Sequence, residues 1–255
     1  MILNFGYIYM ELQMNLSDSL KFPCSITSDT GYITSGGSAI NQIIAAARCG
    51  AKTSLIGSIG NDTFGKTILN TLRREGIQTS GIAKCELPTA IINSIINDKG
   101  EKASIIMQGA NSSISTGQIP DNSLNEKTLI LLQNDITLDV NINILKRAKQ
   151  GASRSIMCLE HGGNIDTSLF DLLDIAIVND QVSMPKTKDT RIITIKHKDR
   201  AFDAFCGSFA ACVQAGVNLE RAMKYGHLAA ELTSKNSSFP YLCDIEDTAL
   251  TLAKP

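Results

Sequence analysis

Two stretches of this sequence carry residue types at spacings that could do chemistry. In the first, Gly60, Gly65, Lys66 and Thr67 fall at the spacing of a phosphate-binding loop. In such a loop backbone amides wrap phosphates, the lysine reaches the terminal oxygens and the threonine holds magnesium. A P-loop NTPase using Gly60 to Thr67 also needs an apolar strand ending in a carboxylate, and that partner is not clean here: Asp135 follows Gln133 and Asn134, and Asp180 follows Asn179. Gly57, Gly60 and Gly65 equally suit a tight strand-to-helix turn with no phosphate in it. In the second stretch, Asp203 heads the helical run DAFCGSFAACVQA. A carboxylate there has an ordinary use as a helix N-cap. The seven cysteines are an odd number, no two of them separated by only two residues, so they offer neither a zinc spacing nor a disulfide framework.

The elements that must position these residues follow a βα rhythm. Strand-like runs are predicted at Ile2 to Tyr9, Thr53 to Ile56, Thr128 to Leu132, Ser155 to Leu159, Ile175 to Val178 and Ile192 to Ile195. Between and after them, helical periods are predicted at Ser38 to Cys49, Phe64 to Arg74, Leu138 to Gln150, Asp203 to Ala215 and Leu219 to Ser234. Such alternation is the signature of parallel βαβ units. Two regions break it. Residues 12–35 carry no helical period, and residues 89–107 hold two β-type runs, TAIINSII and KASIIM, joined by hairpin chemistry at Asn97 to Gly100. Both fit a small sheet projecting from the main one, a candidate lid. With no repeat, charge run or low-complexity linker, residues 1–255 read as one α/β domain.

Composition excludes several functions. Lys and Arg number 24 against 25 Asp and Glu, and this near-neutral balance argues against binding nucleic acid or an anionic membrane by bulk charge. Aromatics are 5% with no tryptophan, so stacking platforms for bases are absent. The apolar start MILNFGYIYMELQM lacks a basic leader and a small-residue cleavage site, and no run reaches membrane-spanning length. The expectation is a cytoplasmic protein with reduced thiols.

The stretch from Gly36 to Ile82, GGSAINQIIAAARCGAKTSLIGSIGNDTFGKTILNTLRREGIQTSGI, resembles the N-terminal signature of the ribokinase-like (PfkB) family of sugar and nucleoside kinases. Paired glycines precede an Asn-bearing Ala-rich helix, then Gly57, Gly60, Asn61, Asp62, Phe64 and Gly65 follow in the family's order, and GAN at Gly109 to Asn111 and the run from Asp203 extend the likeness. The resemblance implies a doubly wound, mostly parallel α/β sheet flanked by helices, with an antiparallel β lid over a cleft at the strands' carboxyl ends. It implies ATP with magnesium as cofactor, a small sugar or nucleoside as substrate and Asp203 as general base. Glu11, Gly36, Gly37, Asn41 and Asp135 would line the substrate. The Gly57 to Gly65 loop would be structural, and a homodimer could form through the lid.

The sequence departs from that pattern in the nucleotide half. Arg200, Ala201 and Phe202 stand where the family has Gly, Ala and Gly, whose bare amides form an anion hole, so Phe202 is expected to crowd the γ-phosphate. The motif that begins at Asn179 has Val182 where a glutamate belongs, and His197 takes the place of an aspartate linked to a monovalent-cation site. Between Asn179 and Asp203 at least one supersecondary unit, on the order of 30 residues, is expected to be missing. Two readings remain open: a working ATP-dependent kinase of a small hydroxylated substrate, and an inactive member that keeps the fold for ligand binding or oligomerisation.

Overall fold

The structure, a computed structural model, describes the chain apart from residues 17–22, 24, 29, 162–165, 185–189, 237 and 253–255. A seven-stranded sheet runs in the order β11-β10-β9-β8-β1-β4-β5. Its strands are β1 (Ile2–Phe5), β4 (Thr53–Gly60), β5 (Ile82–Cys85), β8 (Leu129–Gln133), β9 (Arg154–Leu159), β10 (Ile175–Asn179) and β11 (Arg191–Ile195). All its pairings are parallel. The strands are apolar on both faces, as a sheet covered on both sides requires. In β1, β4 and β8, Ile2, Leu55 and Leu131 pack on one side while Leu3, Ile56 and Ile130 pack on the other.

Helices α1 (Ser38–Arg48), α2 (Thr63–Arg74), α4 (Asp199–Gln214), α5 (Leu219–Asn236) and α6 (Leu242–Leu252) send side chains into the first of these layers, and α3 (Leu138–Gln150) into the second. From β1 the chain winds outward to β4 and β5, then returns to build β8 to β11 on the other side. The order therefore reverses between β1 and β8, and ligands of open α/β sheets bind at the carboxyl ends of the strands flanking such a point.

A second sheet, β3-β2-β6-β7, stands where the candidate lid is expected. It comprises β2 (Tyr9–Leu16), β3 (Thr30–Gly36), β6 (Ile91–Asn97) and β7 (Lys102–Met107). The pairing β2–β6 is parallel and the two outer pairings are antiparallel. The register separates two faces. Glu11, Gln13, Tyr32, Thr34, Ser94 and Lys102 share one, with Ser94 Oγ donating to Glu11 Oε1 at 3.0 Å and Tyr32 to Gln13 at 2.7 Å. The opposite face carries Met14, Ile33, Ile105 and Met107, all exposed.

Several sequence expectations need correction. The single strand predicted over Ile2 to Tyr9 is two: the chain leaves the main sheet after Phe5 and enters the lid at Tyr9, with Gly6 between them. Both halves are apolar, so pattern alone does not reveal the change of sheet. Edge strand β5 and helix α6 carry no strong period and were not predicted. Part of the expected lid segment 12–35 falls on residues outside the described ones.

The phosphate-loop reading fails on geometry. Strand β4 runs to Gly60 and α2 starts at Thr63, which leaves no loop long enough to wrap a phosphate. The Asp62 carboxylate already sits on that helix N-terminus, accepting from the Gly65 amide at 2.8 Å, the Thr89 amide at 2.7 Å and the Thr89 hydroxyl at 2.7 Å. Lys66 and Thr67 are exposed, and Thr67 Oγ1 donates back to the Thr63 carbonyl.

Candidate active site

Asp203 lies one turn inside α4, only 3% exposed. It is therefore not the N-cap that its place in the sequence allows; α4 begins at Asp199, which enters the helix at φ 50°. The Lys198 carbonyl accepts from the amides of Ala201 and Phe202. Phe202, 1% exposed, continues an apolar face with Phe205 and Phe209 into the core. Its side chain is therefore packed in the core cluster, where the sequence expectation had it crowding a phosphate. Replacing it with glycine would open a cavity costing about 3–5 kcal/mol.

Both Asp203 oxygens are held by α1: Asn41 Nδ2 donates to Oδ2 at 2.9 Å and Gln42 Nε2 to Oδ1 at 2.8 Å. Two adjacent helical residues reach one carboxylate because α1 and α4 approach closely. A Cβ on Gly207 would stand 2.2 Å from the Gln42 carbonyl oxygen, so only glycine fits this crossing. Behind Gln42 runs a buried amide chain: Gln133 Nε2 donates to Gln42 Oε1 at 2.9 Å and to Asn4 Oδ1 at 2.8 Å, and Asn4 Nδ2 donates to the Ala39 carbonyl. Asn4 is in β1 and Gln133 ends β8, so the chain of amides spans the reversal point of the sheet. Burial pushes the Asp203 carboxyl up to about 7, although its two amide donors oppose the shift. Asn41 Oδ1 is buried without a partner among the described residues, an acceptor left over for a hydroxyl.

Glycines set the floor. Gly37, at φ 94°, precedes α1, and a Cβ there would meet the Tyr9 ring at 2.8 Å; a Cβ on Gly36 would meet Glu11 Oε2 at 2.8 Å. Glu11 projects from β2 under the lid. Asp135, just past β8, stays exposed in a concavity whose protein surroundings push its carboxyl up to about 6. Its charge acts on Tyr7, Tyr9 and Asp203. Glu11, Gly36, Gly37, Asn41, Asp135 and Asp203 thus gather at one end of the sheet. Asn4, Gln42 and Gln133 were missed by sequence reading: polar residues inside apolar runs were the available signal.

The nucleotide-side residues are arranged differently. A cavity of about 710 Å³ lies between the lid residues Gln13, Tyr32 and Thr34 and the start of α4, from Lys198 to Ala201, with Thr233 and Ser234 of α5 behind. That volume is in the range of ligand pockets, roughly 300–1,000 Å³. Arg200 stacks over the Phe239 ring at 4.6 Å, and its Nε is buried without a partner among the described residues. Asn179 does not face this space freely. Its Nδ2 donates to the His197 carbonyl at 2.6 Å and its Oδ1 accepts from the Gln181 amide, bracing β10 against β11. His197 Nε2 lies 3.0 Å from His227 Nδ1, and burial lowers both imidazole pKa values, with the His227 charge a further cause for His197. Glu160, past the end of β9, accepts from the Asp199 amide, and burial first, then the Asp203 charge, pushes its carboxyl up. No helix stands between β10 and β11 among the described residues, in keeping with the expected missing unit.

Residues 1–156 match the profile of the pfkB family carbohydrate kinase. The chain belongs to that family. Among its PfkB relatives, the ribokinase of Bacillus subtilis is 22% identical over 265 residues, covering 89% of this chain and 90% of that protein. The ribokinase of Lactococcus lactis is 27% identical over 148 residues, and there the chain spans about half of the relative's length, 49%. The PfkB fold is shared with the ribokinase of Thermotoga maritima (TM-score 0.82, 22% identity, 96% of this chain and 98% of that one). It is shared too with an Arabidopsis thaliana ribokinase complexed with ribose and ATP (TM-score 0.80, 19% identity, 96% and 97%).

Proposed function

We propose that this chain is an ATP-dependent kinase that phosphorylates a hydroxyl of a small sugar, with Asp203 as the general base. The observation that carries this reading is the Asp203 carboxylate, fixed by Asn41 and Gln42 at the reversal point of the sheet. It lies beside a lid-covered cavity and next to an unpartnered Asn41 acceptor. A carboxylate offers about four acceptor positions. The two amides take two, so each oxygen keeps capacity for the substrate's proton. Its raised pKa suits a base working near neutrality. Glu11, Asn41 and Asp135 supply acceptors for sugar hydroxyls, each of which needs a partner once buried.

The residues at the start of α4 fit a polyphosphate. Lys198 and the partly buried Arg200 face the cavity, and the Arg200 Nε has no protein partner. Bound ATP with magnesium would supply the phosphoryl group. The described residues hold no group of three metal-ligating side chains, so magnesium would enter on the phosphates rather than on a protein cage. Activation of the substrate hydroxyl, exclusion of water by the lid and orientation of the sugar fall to the chain's own residues.

A second reading, an impaired enzyme, is favoured by one observation. The first amides of α4 are already engaged, Asp199 with Glu160 and Ala201 and Phe202 with the Lys198 carbonyl. One experiment separates the two: ADP release measured across a panel of pentoses, hexoses and nucleosides, alongside calorimetric titration with ATP. Turnover abolished by Asp203→Asn supports the kinase. No nucleotide binding at millimolar concentration would sink it.

The exposed outer face of the lid favours a homodimer. Met14, Ile33, Ile105 and Met107 are exposed apolar residues on one face of a sheet whose edge strand β7 is exposed throughout. Pairing two such faces would bury them and cover the edge.

A further inference from the structure

Lys102 is the single lysine or arginine in the four lid strands. The register places it on the inner face, and its Nζ lies 4.0 Å from Glu11 Oε1 and 3.6 Å from Asp199 Oδ1. Those two contacts join the edge strand of the lid, the lid strand that bears the sugar-side carboxylate, and the first turn of α4. Lys102 is 40% exposed and Asp199 67%, and exposed ion pairs at such separations contribute little to stability. The ammonium is parked on an anion that a phosphate can readily replace.

The backbone amides that would ordinarily serve an anion at the start of α4 are largely engaged, as described above. Side-chain cations must therefore carry the charge. Arg200 is stacked on Phe239, and Arg200 and Lys198 both sit on the α4 wall of the cavity. Among the described residues, Lys102 is the cation that reaches between the sugar-side carboxylate Glu11 and the helix start.

Resting on the kinase reading, we infer that Lys102 is the lid-borne cation that contacts the transferring phosphoryl group, with Asp199 holding it in place until nucleotide arrives. In the transfer the sugar oxygen bonds to phosphorus and the bond from that phosphorus to the bridging oxygen of the diphosphate breaks. Asp203 takes the hydroxyl proton and the leaving diphosphate carries away the charge. Lys102 remains an ammonium throughout and neutralises oxygens that bear charge in the transition state. Lid closure and catalysis are thereby coupled through one side chain.

The test uses the full chain and the variants Lys102→Gln, Lys102→Arg and Asp199→Asn. Calorimetry compares ADP with a non-hydrolysable β,γ-imido analogue of ATP, both with magnesium. Lys102→Gln is expected to weaken the analogue about tenfold and ADP less than about twofold. It should lower kcat roughly 100-fold with a small change in sugar KM, and Lys102→Arg should recover part of both. Asp199→Asn should tighten the analogue by freeing the ammonium. An unchanged analogue-to-ADP ratio together with near-normal kcat in Lys102→Gln overturns the inference. So does an Asp199→Asn variant that reproduces the Lys102→Gln defects, because Lys102 would then be a lid latch only. Absence of sugar phosphorylation by the unaltered chain defeats the kinase reading while the affinity ratio still decides the Lys102 contact; absence of any nucleotide binding defeats both.

Discussion

On the proposed reading, the sugar-side and nucleotide-side regions of this molecule use their polar groups in different ways. On the sugar side, Asn4, Gln133 and Gln42 are linked in a buried chain that ends on Asp203, and Asn41 and Gln133 each keep an acceptor without a partner among the described residues. On the nucleotide side, Asn179 is tied to His197, His197 to His227, and the α4 amide of Asp199 to Glu160. The first network keeps an acceptor to spare at Asn41, whereas the second is closed by internal partners except at Arg200, whose Nε is left as a donor without one among the described residues. The family profile ends at residue 156, close to the boundary between these two arrangements. Retained sugar-side chemistry can thus coexist with a nucleotide side that relies on side-chain cations.

The strongest way to break the comparison is Asp203→Asn. The amide keeps the shape but accepts no proton, and because its Nδ2 donates it can keep only one of the two bonds that Asn41 and Gln42 give the carboxylate; kcat should fall about 10²–10⁴-fold. Circular dichroism would check that the fold persists, and an active Asp203→Asn enzyme would remove the base from the sugar side. Next in size is the lid: Ile33→Lys with Ile105→Lys should weaken self-association by about 100-fold or more, measured by analytical ultracentrifugation. A chain that sediments as a monomer before any substitution would show that the apolar face serves something else.

A smaller effect follows from titration. Asp203 is raised from 3.8 to about 7 and Glu160 from 4.5 to about 8, chiefly by burial. Folded carboxyls with raised pKa hold protons that the unfolded chain has released, so their stabilising contribution is complete below about pH 4 and is lost as pH rises through 7 to 8. Melting temperature should fall by on the order of 5 °C between pH 5 and 8, and Asp203→Asn should shrink that fall. Activity should run the other way, rising over the same window as the base loses its proton. A melting temperature independent of pH in this range would mean that the two carboxyls are better solvated than their packing implies.

Legibility differed between the two regions for physical reasons. Helix α3 and the parallel rhythm were readable because apolar period reflects burial directly. The start of α4 was not: glycine positions were expected by resemblance, but Arg200, Ala201 and Phe202 are ordinary helix residues and simply extend the helix by one turn. Gln42 escaped notice because adjacent helical residues do not share a face. Its meeting with Asp203 depends on the close α1–α4 crossing at Gly207, which is tertiary information. Glu160 and Lys102 are single charges at strand ends, with no local pattern to mark them.

The least effect is expected at Lys66, and it sharpens the assignment most cheaply. A triphosphate could in principle sit on either of two helix N-termini, α2 or α4. At α2 the Asp62 carboxylate already takes the Gly65 and Thr89 donors, and Lys66 points to solvent. Lys66→Ala should therefore change kcat less than about twofold and stability by no more than about 0.5 kcal/mol. Asp62→Ala, by contrast, should cost about 1–2 kcal/mol through the lost cap, without a specific loss of nucleotide affinity. A large fall in ATP binding on Lys66→Ala would move the phosphates to α2 and leave the lid cavity, Arg200 and Lys102 without a nucleotide to serve.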